Sequence, residues 1–278
     1  MKRQLGRSLP LLLVLPGTLV VLAFLVLPVL GTFSGTIGPA GNRLALYETF
    51  FANSNNMRIV LRTIRIALIA TVISLVFGFV AASVIVRTNG FLRQILLVAS
   101  VFPLLTGAIV RSFAWMVILG RNGIINSTLM SLGVIDQPLT LLFTEGSLMI
   151  GLVYLFTPLA ILSLMGVLES IDESVLDASA SLGATPFGVF RQVTLPLAIP
   201  GLIVGGVLVF TGSLAAFATA RLLGGESQKI LPALLHEKAM VSFDWDAANT
   251  IAVVMVALTV VVIVAAQYTA RRFNPVAG

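Results

Sequence analysis

Residue types able to carry covalent chemistry are scarce in this sequence and nowhere gathered. There is no cysteine, and the one histidine, His236, stands in a polar segment beside Glu237 and Lys238. A thiol nucleophile, a disulfide framework and a cysteine-bound metal are therefore excluded. Glu48, Asp136, Glu145, Glu226, Glu237, Asp244 and Asp246 are spread along the polar connections, so the apolar runs hold no compact acid cluster for acid–base work. No Gly-x4-Gly-Lys-Ser/Thr stretch occurs, and without one there is no P-loop to cradle the phosphates of ATP. Arg111 is the one ionisable residue that interrupts a long apolar stretch. At that depth it costs about 2–3 kcal/mol unless it snorkels or finds a partner, and both readings stay open.

The spacings that do carry information are mechanical, and they lie in residues 169–196. Ser170 and Glu173 form a capping-box pattern that predicts a helix start. Val175, Leu176, Ala180 and Leu182 can then share one side, and Gly183 supplies a stop because it takes positive φ without penalty. Thr185-Pro186 is a second start signal, a hydroxyl N-cap followed by proline at the first helical position. Phe187 and Phe190, spaced i, i+3, show two rings on one face. Such a short helix reads equally as a knob for a groove on another protein or as a surface helix packed back on its own chain.

The elements that hold this loop are membrane spans. Of 278 residues, 58% are hydrophobic and 10% charged, whereas soluble domains run near a quarter charged. Residues 8–42, 66–86, 146–168, 192–220 and 247–270 contain no charge, and 94–120 contains only Arg111. Roughly 20 apolar residues cross about 30 Å of hydrocarbon. The pattern predicts an all-α polytopic protein with six spans near 9–33, 62–86, 94–119, 147–168, 197–220 and 248–270, forming one domain over 1–278. Its first run is too long for a cleaved signal and is read as a retained helix. An even span number places both termini on one side. The basic residues Lys2, Arg3, Arg7, Arg87, Arg93, Arg271 and Arg272 predict that this side, with the 169–196 loop, is cytoplasmic. The Gly-, Asn- and Ser-rich stretches 34–61, 121–145 and 221–249 then face outward. The net charge of +6 reads as lipid headgroup anchoring, with Arg62 and Arg65 as further headgroup contacts, and not as nucleic-acid binding. Gly201 and Gly205 form a GxxxG pair, a common sign of close helix approach.

Asp177-Ala178-Ser179, three residues, Gly183, nine residues, then Val193-Thr194-Leu195-Pro196 resembles the EAA loop of permease subunits of binding-protein-dependent ABC importers. Asp177 stands for the usual glutamate and Ser179 for the second alanine, which keeps charge and small size. Over about residues 47–260 the chain is similar to the spermidine/putrescine-type permeases, through Arg111-Ser112-Phe113-Ala114-Trp115, Leu119-Gly120-Arg121-Asn122-Gly123, Leu195-Pro196-Leu197 and Leu222-Leu223-Gly224-Gly225. The resemblance implies a type I importer permease fold in a bacterial inner membrane. It also implies two copies of an ATPase subunit clamping the loop, a second permease (a homologue or another copy of this chain) and an extracytoplasmic solute-binding protein. ATP and magnesium belong on the ATPase, with no cofactor on this chain. Asp177, Ala178, Gly183, Thr185, Pro186, Phe187, Phe190, Leu195 and Pro196 become the ATPase-coupling residues, and Arg111, Trp115, Phe217 and Arg221 the candidates for the translocation path. A polyamine is the leading solute. However, Ala216-Phe217 lacks the acidic residue those permeases often carry there, and Ala220-Arg221 replaces their Thr-Pro, so an opine, amino acid or phosphonate stays open. An ion-coupled secondary transporter would place ionisable groups at the midplane of broken helices, where only Arg111 qualifies. A membrane enzyme would need a catalytic constellation that the chain does not supply.

Overall fold

A computed structural model describes residues 2–37 and 44–273, with side chains from Val14 to Ala270. The basic termini assigned to headgroup anchoring, Lys2, Arg3, Arg7, Arg271 and Arg272, have side chains outside that range. Every regular element among the described residues is helical. In chain order these are α1 (Lys2–Ser34), α2 (Ala45–Ala52), α3 (Ser54–Arg87), α4 (Gly90–Leu105), α5 (Ala108–Leu119), α6 (Ile124–Ser131), α7 (Glu145–Leu168), α8 (Glu173–Ser181) and α9 (Pro186–Val189). A π-turn at Phe190–Thr194 leads into α10 (Leu195–Ala215). Then come α11 (Phe217–Thr219), a π-turn at Ala220–Gly224, α12 (Leu231–His236), a π-turn at Glu237–Val241 and α13 (Trp245–Phe273).

Six helical stretches are long and apolar enough to cross a membrane: Val14–Ser34, Ser54–Arg87, Ala108–Ser131, Glu145–Leu168, Pro186–Ala215 and Trp245–Ala270. Two differ from the expected spans for local reasons. The stretch 94–119 is not one helix: α4 carries Pro103 and stops at Leu105, and Thr106 and Gly107 are extended before α5 begins. Proline removes a backbone donor and crowds the preceding turn, which favours a break nearby. The stretch 197–220 breaks at Ala216, whose ψ of 62° departs from the helix before α11 resumes. The segments expected as outward loops also hold α2, α6 and α12.

The chain forms two compact units. The first takes Met1–Met57 and Leu235–Val256. Within it α1 exposes apolar side chains on every face from Val14 to Leu30, as a helix solvated by lipid can. Tyr47 donates to the Thr36 hydroxyl at 2.8 Å, and Lys238 pairs with Asp244 at 3.4 Å.

The second unit takes Arg58–Leu234 and Ala257–Gly278 and is organised on α7. Along its length α7 buries Leu148, Leu152, Leu155, Ile161, Leu164, Met165 and Leu168. Its half that leads into the 169–196 loop packs with Ala82, Ile85 and Ala198, and its other half with Ile66, Ala70, Ala220 and Ile230. Small residues set the spacing. A Cβ at Gly201 would come within 3.0 Å of the Ser163 carbonyl, and one at Gly205 would meet the Ser163 hydroxyl, so the GxxxG pair is the seam where α10 lies against α7. Arg62 and Arg65 are tied inward. Both pair with Glu145, and Arg62 Nη1 donates to the Ser227 carbonyl at 2.9 Å, so a carboxylate and a loop carbonyl hold what headgroups were expected to hold.

Candidate coupling loop and translocation path

Residues 169–196 connect α7 and α10, which pack against each other along the Gly201/Gly205 seam. α8 begins at Glu173, with Asp172 as its N-cap accepting the Ser174 amide at 2.8 Å. Ser170 donates back to the Val167 carbonyl from the turn that follows the end of α7 at Leu168, and it does not cap α8, which starts at Glu173 behind Asp172. The bond from the Ser174 amide, then one from the Ser174 hydroxyl, holds the Asp172 carboxyl below the ordinary aspartate pKa.

The stop after α8 is a complete Schellman motif. Gly183 has φ +87°, its amide donates to the Ala180 carbonyl at 2.9 Å, and the Ala184 amide reaches the Ser179 carbonyl at 3.2 Å. Thr185 then caps the next start, accepting the Gly188 amide at 3.2 Å, with Pro186 at the first helical position. The expected apolar side of α8 is not packed: Val175, Ala180 and Leu182 are exposed, Leu182 to 90%, and only Leu176 is half-buried. Asp177 and Ala178 are exposed on the same helix.

The two aromatic rings divide. Phe190 stacks edge-to-face on Phe79 of α3 at 5.6 Å and anchors the loop, whereas Phe187 is 69% exposed and projects. Beyond them the chain does not break before the next span. Pro196 offers no amide and its ring crowds the preceding turn, and the π-turn Phe190–Thr194, closed by the Leu195 amide on the Phe190 carbonyl, absorbs the misfit. α9, the π-turn and α10 are thus one continuous helical rod from Pro186 to Ala215, which the reading of a separate short helix missed.

The candidate path residues converge on one contact. Arg111 and Trp115 lie on α5, Phe217 opens α11 and Arg221 lies in the following π-turn, and α5 meets these elements where Ser112 Oγ donates to Thr219 Oγ1 at 3.4 Å. Arg111 sits in the first turn of α5, just past the break, where a cation opposes the helix dipole. Its Nε and Nη1 are buried with no hydrogen-bond acceptor. Trp115 packs edge-to-face on Tyr154 of α7 at 5.6 Å, a residue that the sequence reading passed over because one tyrosine in an apolar run carries no pattern. Arg221 opens onto a cavity of ≈ 620 Å³ with Met116, Phe143 and Glu226. It pairs there with Glu226, which Lys229 also holds at 3.0 Å. The rim is clasped across two loops by the Phe143 amide on the Leu223 carbonyl at 3.0 Å and the Ser147 hydroxyl on the same carbonyl at 2.9 Å.

The family model for the binding-protein-dependent transport system inner membrane component matches residues 74–275. The spermidine/putrescine transport system permease protein PotB of Haemophilus influenzae is 33% identical over 195 residues, 70% of this chain and 68% of that protein. A putative 2-aminoethylphosphonate transport system permease protein, PhnU of Salmonella typhimurium, is 31% identical over 218 residues, covering 76% of each. A bacterial ABC transporter involved in import of the acidic polysaccharide alginate has a chain that superposes with a TM-score of 0.82 at 16% identity, over 97% of this chain and 98% of its own.

Proposed function

The chain belongs to the family of binding-protein-dependent transport system inner membrane components, and from that premise we propose how it works: as the multi-pass permease subunit of an ATP-binding-cassette importer, it forms the path for a small polar solute and couples it to hydrolysis on another chain. The observation that carries the coupling is the 169–196 loop. A helix with exposed Val175, Asp177 and Leu182, a glycine-dependent corner and a projecting Phe187 form a knob fixed between the packed helices α7 and α10. ATPase subunits grip that knob, and their closure moves α7 and α10 as rigid bodies. The chain supplies no catalysis and holds no ATP; a second permease completes the path, and a soluble binding protein delivers solute to the opposite face. Both termini are cytoplasmic in this reading, on the side of the loop.

Relatedness to PotB supports a polyamine as the solute. A second reading rests on Arg111, whose buried Nε and Nη1 have no acceptor whereas Arg221 is already paired with Glu226; a guanidinium left to find a partner favours a solute with an acidic group, as the name of PhnU suggests. Deletion of the gene, followed by uptake of labelled spermidine, putrescine and 2-aminoethylphosphonate, separates the two. Loss of polyamine uptake supports the first reading, loss of aminophosphonate uptake with polyamine uptake intact supports the second, and ATP-independent uptake of either overturns the importer.

A further inference from the structure

At the membrane-surface end of the second unit, where α3 and α7 finish and α4 begins, a cavity of ≈ 400 Å³ opens beneath α8. It lies at the opposite ends of these helices from the Arg221 cavity and takes no part in the path described above. Its size is that of a small-molecule site, about 300 Å³ or more. Two guanidinium groups line it, Arg87 and Arg93, together with two carboxylates, Glu169 and Glu173, and the hydroxyls of Ser83 and Thr194.

The charges are only half spent on each other. Arg93 pairs with Glu169, and its Nε remains buried with no acceptor. Arg87 and Glu173 have no ion-pair partner among the described residues. A lone anion entering here would bind Arg87 but face Glu173, and a lone cation would do the reverse. A molecule with both charges a few bonds apart satisfies both, each through charge-assisted hydrogen bonds. Ammonium N–H groups suit the two carboxylates, and tetrahedral oxygens suit the guanidinium forks and the hydroxyls.

We propose that this cavity binds a phosphoethanolamine-type zwitterion, a phosphate or phosphonate with a primary ammonium. Because the apolar spans end at this level, the headgroup of an ethanolamine phospholipid reaches it from the bilayer, and a free aminophosphate or aminophosphonate reaches it from solution. The occupant would touch Leu176 and Glu173 of α8 and Thr194 of the π-turn, so it would set how firmly the coupling loop is seated on its helices.

The complete purified importer, with its ATPase and partner permease, is titrated with phosphatidylethanolamine, phosphatidylglycerol and phosphatidylcholine of equal acyl length, and retained lipid is counted by native mass spectrometry. Phosphatidylethanolamine should be retained about tenfold over the other two, since glycerol lacks the cation and choline lacks N–H donors. Arg87→Gln and Glu173→Gln should each remove about that tenfold preference. Among the described residues neither side chain has an ion-pair partner to lose, and co-purification of the intact complex checks each fold. O-phosphoethanolamine that displaces the lipid shows that the zwitterion alone is recognised, whereas preference without displacement assigns the site to the lipid. Equal retention of all three lipids, a preference untouched by both substitutions, or a preference for phosphatidylglycerol lost only in Arg87→Gln overturns the proposal.

Discussion

Replacing Gly183 tests the coupling mechanism at the point where its cause is simplest. The residue has φ +87°, and no atom lies within 4 Å of where a Cβ would stand. Any effect of substitution is therefore conformational and not a clash. An L-residue in the left-handed region costs about 1–2 kcal/mol, more for a β-branched side chain, while asparagine tolerates the region. At 1.4 kcal/mol per tenfold, Gly183→Val should lower the population of the native corner by about 10- to 30-fold, leaving the fold intact but mis-aiming Pro186 and Phe187. Measured by co-purification with the ATPase and by solute uptake per inserted permease, activity should fall in the order glycine, asparagine, alanine, valine. A steric mechanism would rank alanine above asparagine. That order, or normal uptake from well-expressed Gly183→Val, would refute the reasoning.

Four further outcomes are expected. Thr185→Ala should cost about 0.5–2 kcal/mol of local stability, read as faster amide exchange at Gly188 with little change in melting temperature. Asp172 has a depressed pKa, so its cap is fully present above the ordinary aspartate value and is lost as pH falls through the lowered one; exchange at the Ser174 amide should rise only in acid, and Asp172→Ala should abolish that dependence. Gly78→Ala sets a Cβ 2.7 Å from that of Ala160 and should destabilise the protein by about 1–3 kcal/mol, whereas Gly166→Ala, with nothing within 4 Å, should not; thermal unfolding in detergent compares them. Reporters fused after Arg87 should be active only in the cytoplasm and those at Asn53 or Asp136 only outside, and reversed activities would turn the loop away from any ATPase.

Signals that depend on one residue's backbone were legible in the sequence, and signals that depend on a distant partner were not. Gly183, Thr185 and Pro186 each do what their covalent structure dictates, so stop and start fell where expected. Ser170-Glu173 was a sound local pattern defeated by a nearer competitor: Asp172 caps the Ser174 amide, and the Ser170 hydroxyl turns back to the Val167 carbonyl. Val175 and Leu182 could be placed on one side of their helix, but periodicity cannot tell whether that side meets a core or an absent partner, and they are exposed. The roles of Arg62 and Arg65 hinged on Glu145, far along the chain, and the α4–α5 break on how one proline is relieved.

In the proposed mechanism the rod from Pro186 to Ala215 would act as a lever, with its fulcrum at the Gly201/Gly205 seam, where α10 lies against the α7 backbone. At 1.5 Å per residue the arm toward Phe187 is about 24 Å and the arm toward the Ala216 break about 20 Å. A rocking of about 5° would carry the ring of Phe187 about 2 Å one way and the start of α11 about 1.7 Å the other. In that reading a stroke delivered at the loop would arrive at Phe217 and Arg221 slightly shortened, reversed in direction and increased in force by about a quarter.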